Sequence, residues 1–432
     1  MSARRWGPIV GIAILLGLGA SADAQMRGHG GPVRALAVAA GGTLAISGGF
    51  DQAAILWGIE TGTALTVLRF HDGAVNAVAA LPDGRFATAS EDGRIALWRA
   101  GQPEPERVFS EHAGPVSALA LAPDGLALAS SSWDGTVRIR ALSGGPARVL
   151  AGHHGNVNAV AFLPDGRAVS AGYDATVRVW PLADDAGAVP VLFTLPTVLN
   201  ALAVTQDGEI AAAGGDAVVR LLRPDGRVRA EIDVGPNPVI ALAPSPDGTR
   251  IAAASAGGAV TVIDRAAGTV LTRLVGPGLP VWSVAWRPEG GELLTGGGDR
   301  LIRRWDARTG APIGPLAMPR PADALAAYHG DRGAEVFRAC VACHALRPED
   351  GPRAGPSLAG IIGRRIATAP DYRYSDALKG MDIVWDARTI ARLFEVGPAR
   401  YTPGTRMPEQ TITSAEDREA LVRFLERATA AP

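Results

Sequence analysis

The sequence predicts two domains, an all-β propeller of seven blades followed by a smaller all-α domain. Three observations predict this. A unit of about forty residues, the length of a four-stranded blade, recurs seven times between Gly28 and Asp306. Gly 54 and Pro 32 in a chain of 432 residues are high for a helical bundle and usual where turns are dense. Past Trp305 the repeat stops and helix-forming residues take over. At ~100–200 residues per domain, the chain is long enough for two cores.

The first element is an address. Arg4 and Arg5 precede an apolar run from Ile9 to Ala20, then Ala22-Asp23-Ala24. A basic segment, a short apolar stretch and an A-x-A site form a Sec-type signal peptide, cut before Gln25. The competing reading is an uncleaved anchor, but the run falls short of the ~20 apolar residues a span needs. The mature protein is therefore expected to be exported, periplasmic in a Gram-negative cell, with no stable membrane span. Lys+Arg 42 against Asp+Glu 43 lacks the basic excess of a nucleic-acid binder.

The repeats come next. A turn aspartate recurs at Asp51, Asp92, Asp134, Asp174, Asp216 and Asp299, with Gly258 in the remaining unit. Six residues later stand Trp57, Trp98, Arg140, Trp180, Leu222, Asp264 and Trp305. His29, His71, His112 and His153 lie upstream, each four residues before a valine. Pro-Asp-Gly turns such as Pro82-Asp83-Gly84 separate short alternating strands. The segment Gly152-His153 and the run from Tyr173 to Trp180 resemble the WD-repeat family, and the resemblance extends over all seven units. It implies a buried hydrogen-bonded tetrad in each complete blade: His71, Thr88, Asp92 and Trp98 in the second, His153, Ser170, Asp174 and Trp180 in the fourth. The histidines are therefore structural rather than a metal cluster, and buried polar groups so linked satisfy one another. Blades five and six lack the histidine and the tryptophan. Only Gln25 to Arg27 precede the first Gly-His, so the last blade is expected to draw its fourth strand from Ala311 to Ala317. Its two prolines suit an edge.

The residue before each turn aspartate faces one rim in such propellers. Phe50, Trp133 and Tyr173 stand there, and Trp282 is placed to join them from an inner strand. Exposed aromatics anchor protein interfaces, so these four are candidate partner-binding residues. Packing between blades is the alternative.

Pro312, Pro315, Pro319 and Pro321 then read as a linker. The organisation expected is a signal peptide at 1–24, the propeller at 25–317, the linker at 318–329 and the helical domain at 330–432. In the last segment stands Cys340-Val341-Ala342-Cys343-His344, the C-x-x-C-H signature of c-type haem attachment. One helical turn puts both thiols on one face to reach two vinyl groups, and His344 offers a ring nitrogen to the iron. Zinc would need further ligands, and Cys 2 leaves no second pair. Met407, in the stiff run Tyr401-Thr402-Pro403-Gly404-Thr405-Arg406-Met407-Pro408, is the second axial candidate. A thioether stabilises reduced iron and suits electron transfer. Met381 and His329 are weaker rivals.

These motifs resemble a class I cytochrome c of the mitochondrial type across nearly the whole of 330–432. Gly333, Val336 and Phe337 match its first helix. The run Gly355-Pro356-Ser357-Leu358-Ala359-Gly360 matches a haem loop, Tyr374 to Ala377 and Trp385 its propionate region, and Ala415 to Arg427 its closing helix. The resemblance implies one covalent haem c held by Cys340 and Cys343, with iron ligands His344 and Met407. It further implies that the Pro356 carbonyl accepts the second ring proton of His344, and that Arg364, Tyr374 and Trp385 bind the propionates. Three departures stand out, one being that the family's tyrosine beside the methionine is missing near Leu393 and Phe394. Leu378 occupies a place where the family often has Asn, and the family's lysine ring is missing, Lys379 being the only lysine.

Electron transfer to a redox protein partner, docked by the propeller or by an exposed haem edge, is the function expected. A periplasmic oxidoreductase with a substrate site on the propeller and the haem as electron outlet is the alternative. A peroxidase is the third reading, disfavoured by a single haem motif.

Overall fold

The computed structural model describes residues 25–181, 190–314, 325–338, 340–341, 344–347, 355–370, 372, 374–405, 407 and 411–430. The expected signal peptide, Cys343 and most of the linker lie outside them.

Seven four-stranded antiparallel sheets stand in a ring. Six are built from consecutive strands, as in the first blade: Val33–Val38, Leu44–Gly49, Ala54–Gly58 and Thr63–Leu68. The second strand of each blade is buried on both faces, so it is a short run of apolar and small residues rather than a clean alternation. Apolar side chains of one blade pack on the next, as Ala35, Leu56, Val78 and Trp98 do between the first two.

Each innermost strand carries a bulge at its second residue. In four successive blades that residue is polar and reaches the next blade. Asn76 Nδ2 donates to the Val116 carbonyl at 3.2 Å, Ser117 Oγ to Val157 at 2.5 Å, Asn158 Nδ2 to Leu199 at 2.8 Å and Asn200 Nδ2 to Val239 at 3.0 Å. The extra residue of a bulge leaves a neighbouring carbonyl without a ladder partner, and these side chains satisfy it across the blade boundary. The same position holds Arg34 in the first blade and Trp282 in the last, where they stack at 5.3 Å instead.

The tetrads form within the blades. In the second, the His71 ring bridges Asp92 at 3.0 Å and Thr88 at 2.8 Å, and Trp98 Nε1 donates to Thr88 at 2.9 Å. The fourth repeats this with His153, Asp174, Ser170 and Trp180, and the first with His29, Asp51, Ser47 and Trp57. A neutral ring that donates from Nδ1 to the carboxylate accepts the hydroxyl at Nε2, so the chain is fully satisfied.

Ring closure corrects one expectation. The fourth strand of the last blade is Gln25–Arg27, antiparallel to Leu301–Asp306 with Met26 opposite Ile302. Three residues suffice because Met26 is fully buried among Val33, Ile55, Trp57 and Leu294. Among the described residues the stretch after Asp306 adds only an isolated bridge, Trp305 to Pro312, residues 315–317 of the expected strand lying outside them, and proline has no N–H with which to extend a ladder.

The second domain is a small helical body. Its helices are α1 (Arg332–Phe337), α2 (Asp376–Lys379), α3 (Ala387–Val396), α4 (Pro398–Tyr401) and α5 (Ala415–Ala428). Asp331 caps α1, accepting from Gly333 and Ala334, while Ser414 caps α5. Helices α1 and α5 cross where Gly333 meets the Ala420 carbonyl. Phe337, Phe424, Leu421, Leu393 and Phe394 form the core beneath them. Among the described residues no helix is long and apolar enough to cross a membrane.

Candidate functional site

The turn that follows α1 carries the attachment motif. Cys340 N donates to Phe337 O at 2.8 Å and His344 N to Cys340 O at 3.0 Å, so Cys340 and His344 lie one helical turn apart. Such spacing puts both side chains on one face. Cys340 is buried. His344 Nδ1 donates to the Pro356 carbonyl at 2.8 Å. That bond fixes the tautomer and leaves Nε2 as the lone-pair donor, the arrangement used to orient a metal-binding imidazole.

His344 and Cys340 open onto a cavity of about 500 Å³, within the ~300–1,000 Å³ range of sites for compact organic ligands. Its walls are mostly apolar, with Leu358, Ile361, Leu393 and Leu425 among them. Met407 lines it too, on a loop where its own N–H donates to Thr405 Oγ1 at 3.1 Å. The rivals do not line the cavity: His329 is exposed, and Met381 lies outside the lining. Leu378 is buried at the wall, making that point of the site apolar.

Arg364, Tyr374 and Trp385 all line the same space. The Arg364 guanidinium donates to the Ser357 carbonyl at 2.7 Å and to that of Ala359 at 2.9 Å. Burial pulls its pKa below the ordinary value, with Tyr374 opposing. Burial likewise pushes the Tyr374 phenol up, against the nearby Arg364 charge, so it stays a hydrogen-bond donor at neutral pH. An apolar slot with a thiol, an oriented imidazole and a thioether, plus cationic and phenolic donors in its wall, fits an iron porphyrin bearing two carboxylates.

Of the four rim aromatics, Phe50, Trp133 and Tyr173 are exposed. Phe50 packs against Trp282 with ring centroids 5.7 Å apart, and Phe50 also lines the cavity just described. Trp133 donates from Nε1 to Asn158 at 3.1 Å, while Tyr173 is half exposed. Among the residues at the cavity that escaped the reading of the sequence are Gln52 and Arg69, both from the first blade. Neither belongs to the repeat pattern, so no local signal marked them.

Comparison with known proteins agrees with this division. The family model for the WD domain, G-beta repeat, matches residues 23–58, 62–99, 103–140, 144–181 and 268–306, leaving out the two blades that lack both the histidine and the tryptophan. The cytochrome c model matches residues 330–429. Cytochrome c of Cochliobolus lunatus is 36% identical over 99 residues, 23% of this chain and 91% of its own length. Cytochrome c of Arabidopsis thaliana is 36% identical over 99 residues, again 23% of this chain and 88% of its own. Cytochrome c2 of Rhodomicrobium vannielii is 33% identical over 109 residues, 25% of this chain and 86% of its own.

Proposed function

Because the chain belongs to the cytochrome c family, with one covalently attached haem c in a domain carried behind a seven-bladed WD-repeat propeller, we propose that it is an exported, periplasmic carrier of single electrons. In this reading His344 and Met407 would hold the iron, Cys340 and Cys343 would attach the porphyrin, and Arg364, Tyr374 and Trp385 would bind its propionates. A redox protein docks on the propeller or at the haem edge. The bound group supplies a reversible one-electron couple.

The chain's own residues supply the rest. Pro356 holds the His344 ring in one tautomer, which limits rearrangement when charge changes. The soft thioether of Met407 favours the reduced state. Apolar walls at Leu358, Leu378 and Leu393 exclude water, which strengthens each fixed charge and dipole inside. The His344–Pro356 bond beside a cavity that Met407 also lines is the observation that carries the reading.

Met407→Ala tests it. The ferric protein is expected to lose its methionine-to-iron charge-transfer band and its midpoint potential to fall. An unchanged band removes Met407 as ligand. Catalytic reduction of the unmodified protein by a small molecule from native extracts would favour the oxidoreductase reading instead.

A further inference from the structure

The cavity that holds His344 and Met407 is not closed by the helical domain alone. Gly30, Gly31, Phe50, Asp51, Gln52 and Arg69 of the first blade form one side of it. Arg69 follows the outer strand Thr63–Leu68 and is only 8% exposed. Its guanidinium lies 4.7 Å over the Tyr372 ring, and Tyr372 meets Tyr374 edge-on at 4.7 Å. The Arg69 charge acts on the Tyr374 phenol alongside that of Arg364, so cations from two domains converge on one tyrosine. Gln52, held at a φ of 65°, has its buried Oε1 without a hydrogen-bond partner among the described residues. A buried amide oxygen in that state carries an uncompensated desolvation penalty unless something in the cavity satisfies the group. Asp51 on the same wall is an ionised carboxylate whose charge is held by His29 at 3.0 Å, Gly30 N at 2.7 Å and Ala53 N at 3.3 Å, and it stays constant while Arg69 is varied.

We infer that the haem site is shared between the domains: the propeller's first blade supplies Arg69 as a buried cation beside the haem carboxylates, with Gln52 as a polar neighbour, and so raises the potential. This rests on the haem reading above. A positive charge in a dry wall favours the state with one more electron, and burial keeps salt from screening it. The lysine ring that steers single-domain relatives is absent here, whereas this contact ties the propeller to the redox group itself.

The full haem-loaded chain tests the inference through a charge series at Arg69. Arg69→Lys is expected to keep the midpoint near that of the unmodified protein. Arg69→Gln should shift the ferrous-to-ferric ratio at fixed poise about tenfold toward ferric, ~59 mV for one electron, and Arg69→Glu further still. The ordering should survive high salt. Equal midpoints across the series, or Lys and Gln variants displaced alike, overturn the inference, the second pattern being that of a purely structural contact. The methionine band should persist in every variant. Its absence from the unmodified protein would count against the Met407 reading and leave the comparison of midpoints intact.

Discussion

Asp174 shows at residue scale how the propeller's interior responds to acid. Its side chain is 7% exposed beside His153. Burial alone would raise its pKa, but the His154 amide, the Thr176 hydroxyl and the His153 ring hold it at about 2 against a usual 3.8. Burial lowers the pKa of the His153 and His112 rings despite their aspartates. The signs agree. In each case the unfolded chain binds protons that the folded chain refuses, so stability rises with pH. It should therefore fall in two windows on acidification, below about 6.5 as unfolded histidines charge and again from 3.8 toward 2 as the aspartates are protonated and lose their charge. Asp174→Asn should lower stability at neutral pH by about 1–3 kcal/mol, the usual effect of breaking one buried hydrogen-bonded link. It should also flatten the lower window. Denaturant midpoints followed by tryptophan fluorescence from pH 7 to 2.5 measure both; a variant with the same slope below 3.8 would assign that window to other groups.

The crossing of α1 and α5 is the decisive contact among the elements of the helical domain. A Cβ at Gly333 would sit 2.1 Å from the Ala420 carbonyl and 2.6 Å from Phe424 Cβ. Ion pairs from Arg332 to Asp417 and from Arg427 to Asp331 flank it. Alanine gains up to ~1 kcal/mol over glycine in helix propensity, yet overpacking costs about 1–3 kcal/mol and neither neighbour is a flexible side-chain end. Gly333→Ala should thus lower the unfolding midpoint read from the Soret band; a stabilised variant would show that the helices can separate freely. Gly333 was visible in the sequence through its place in a known helix, as was the C-x-x-C-H run, because covalent attachment demands residues adjacent in the chain. The blade aspartates were legible for a related reason, since a repeated turn leaves a repeated residue. Arg69 and Gln52 were not: their use depends on a second domain about 270 residues away in the sequence, and local patterning cannot encode such a meeting. The rim aromatics stood out as a chemical type, but Phe50 lies at the cavity wall and Trp282 against it, which only the ring geometry could reveal.

The whole molecule depends on a short strand at its amino end. Seven sheets close only if the last gains an outer strand from the opposite terminus, a return that leaves no exposed seam between the first and last blades. Gln25–Arg27 does this with three residues, too few to show a period in the sequence. Leader cleavage before Gln25 would leave that strand whole, whereas a cut a few residues later would remove it. Most of the strand's contribution resides in Met26, which is 1% exposed and packs on Trp57 and Ile302 from blades at the two ends of the repeat array. Truncating a buried methionine to alanine costs about 2–5 kcal/mol. Met26→Ala should therefore lower the tryptophan-monitored unfolding midpoint of the propeller while the Soret-monitored midpoint of the helical domain moves less, because Met26 does not contribute to that core. Intact-mass measurement of the exported protein should find Gln25 as its first residue. A Met26→Ala chain with an unchanged propeller midpoint would mean that the ring holds without its closing strand, and that the seam between first and last blades is sealed by Arg34 on Trp282 and the inner strands alone.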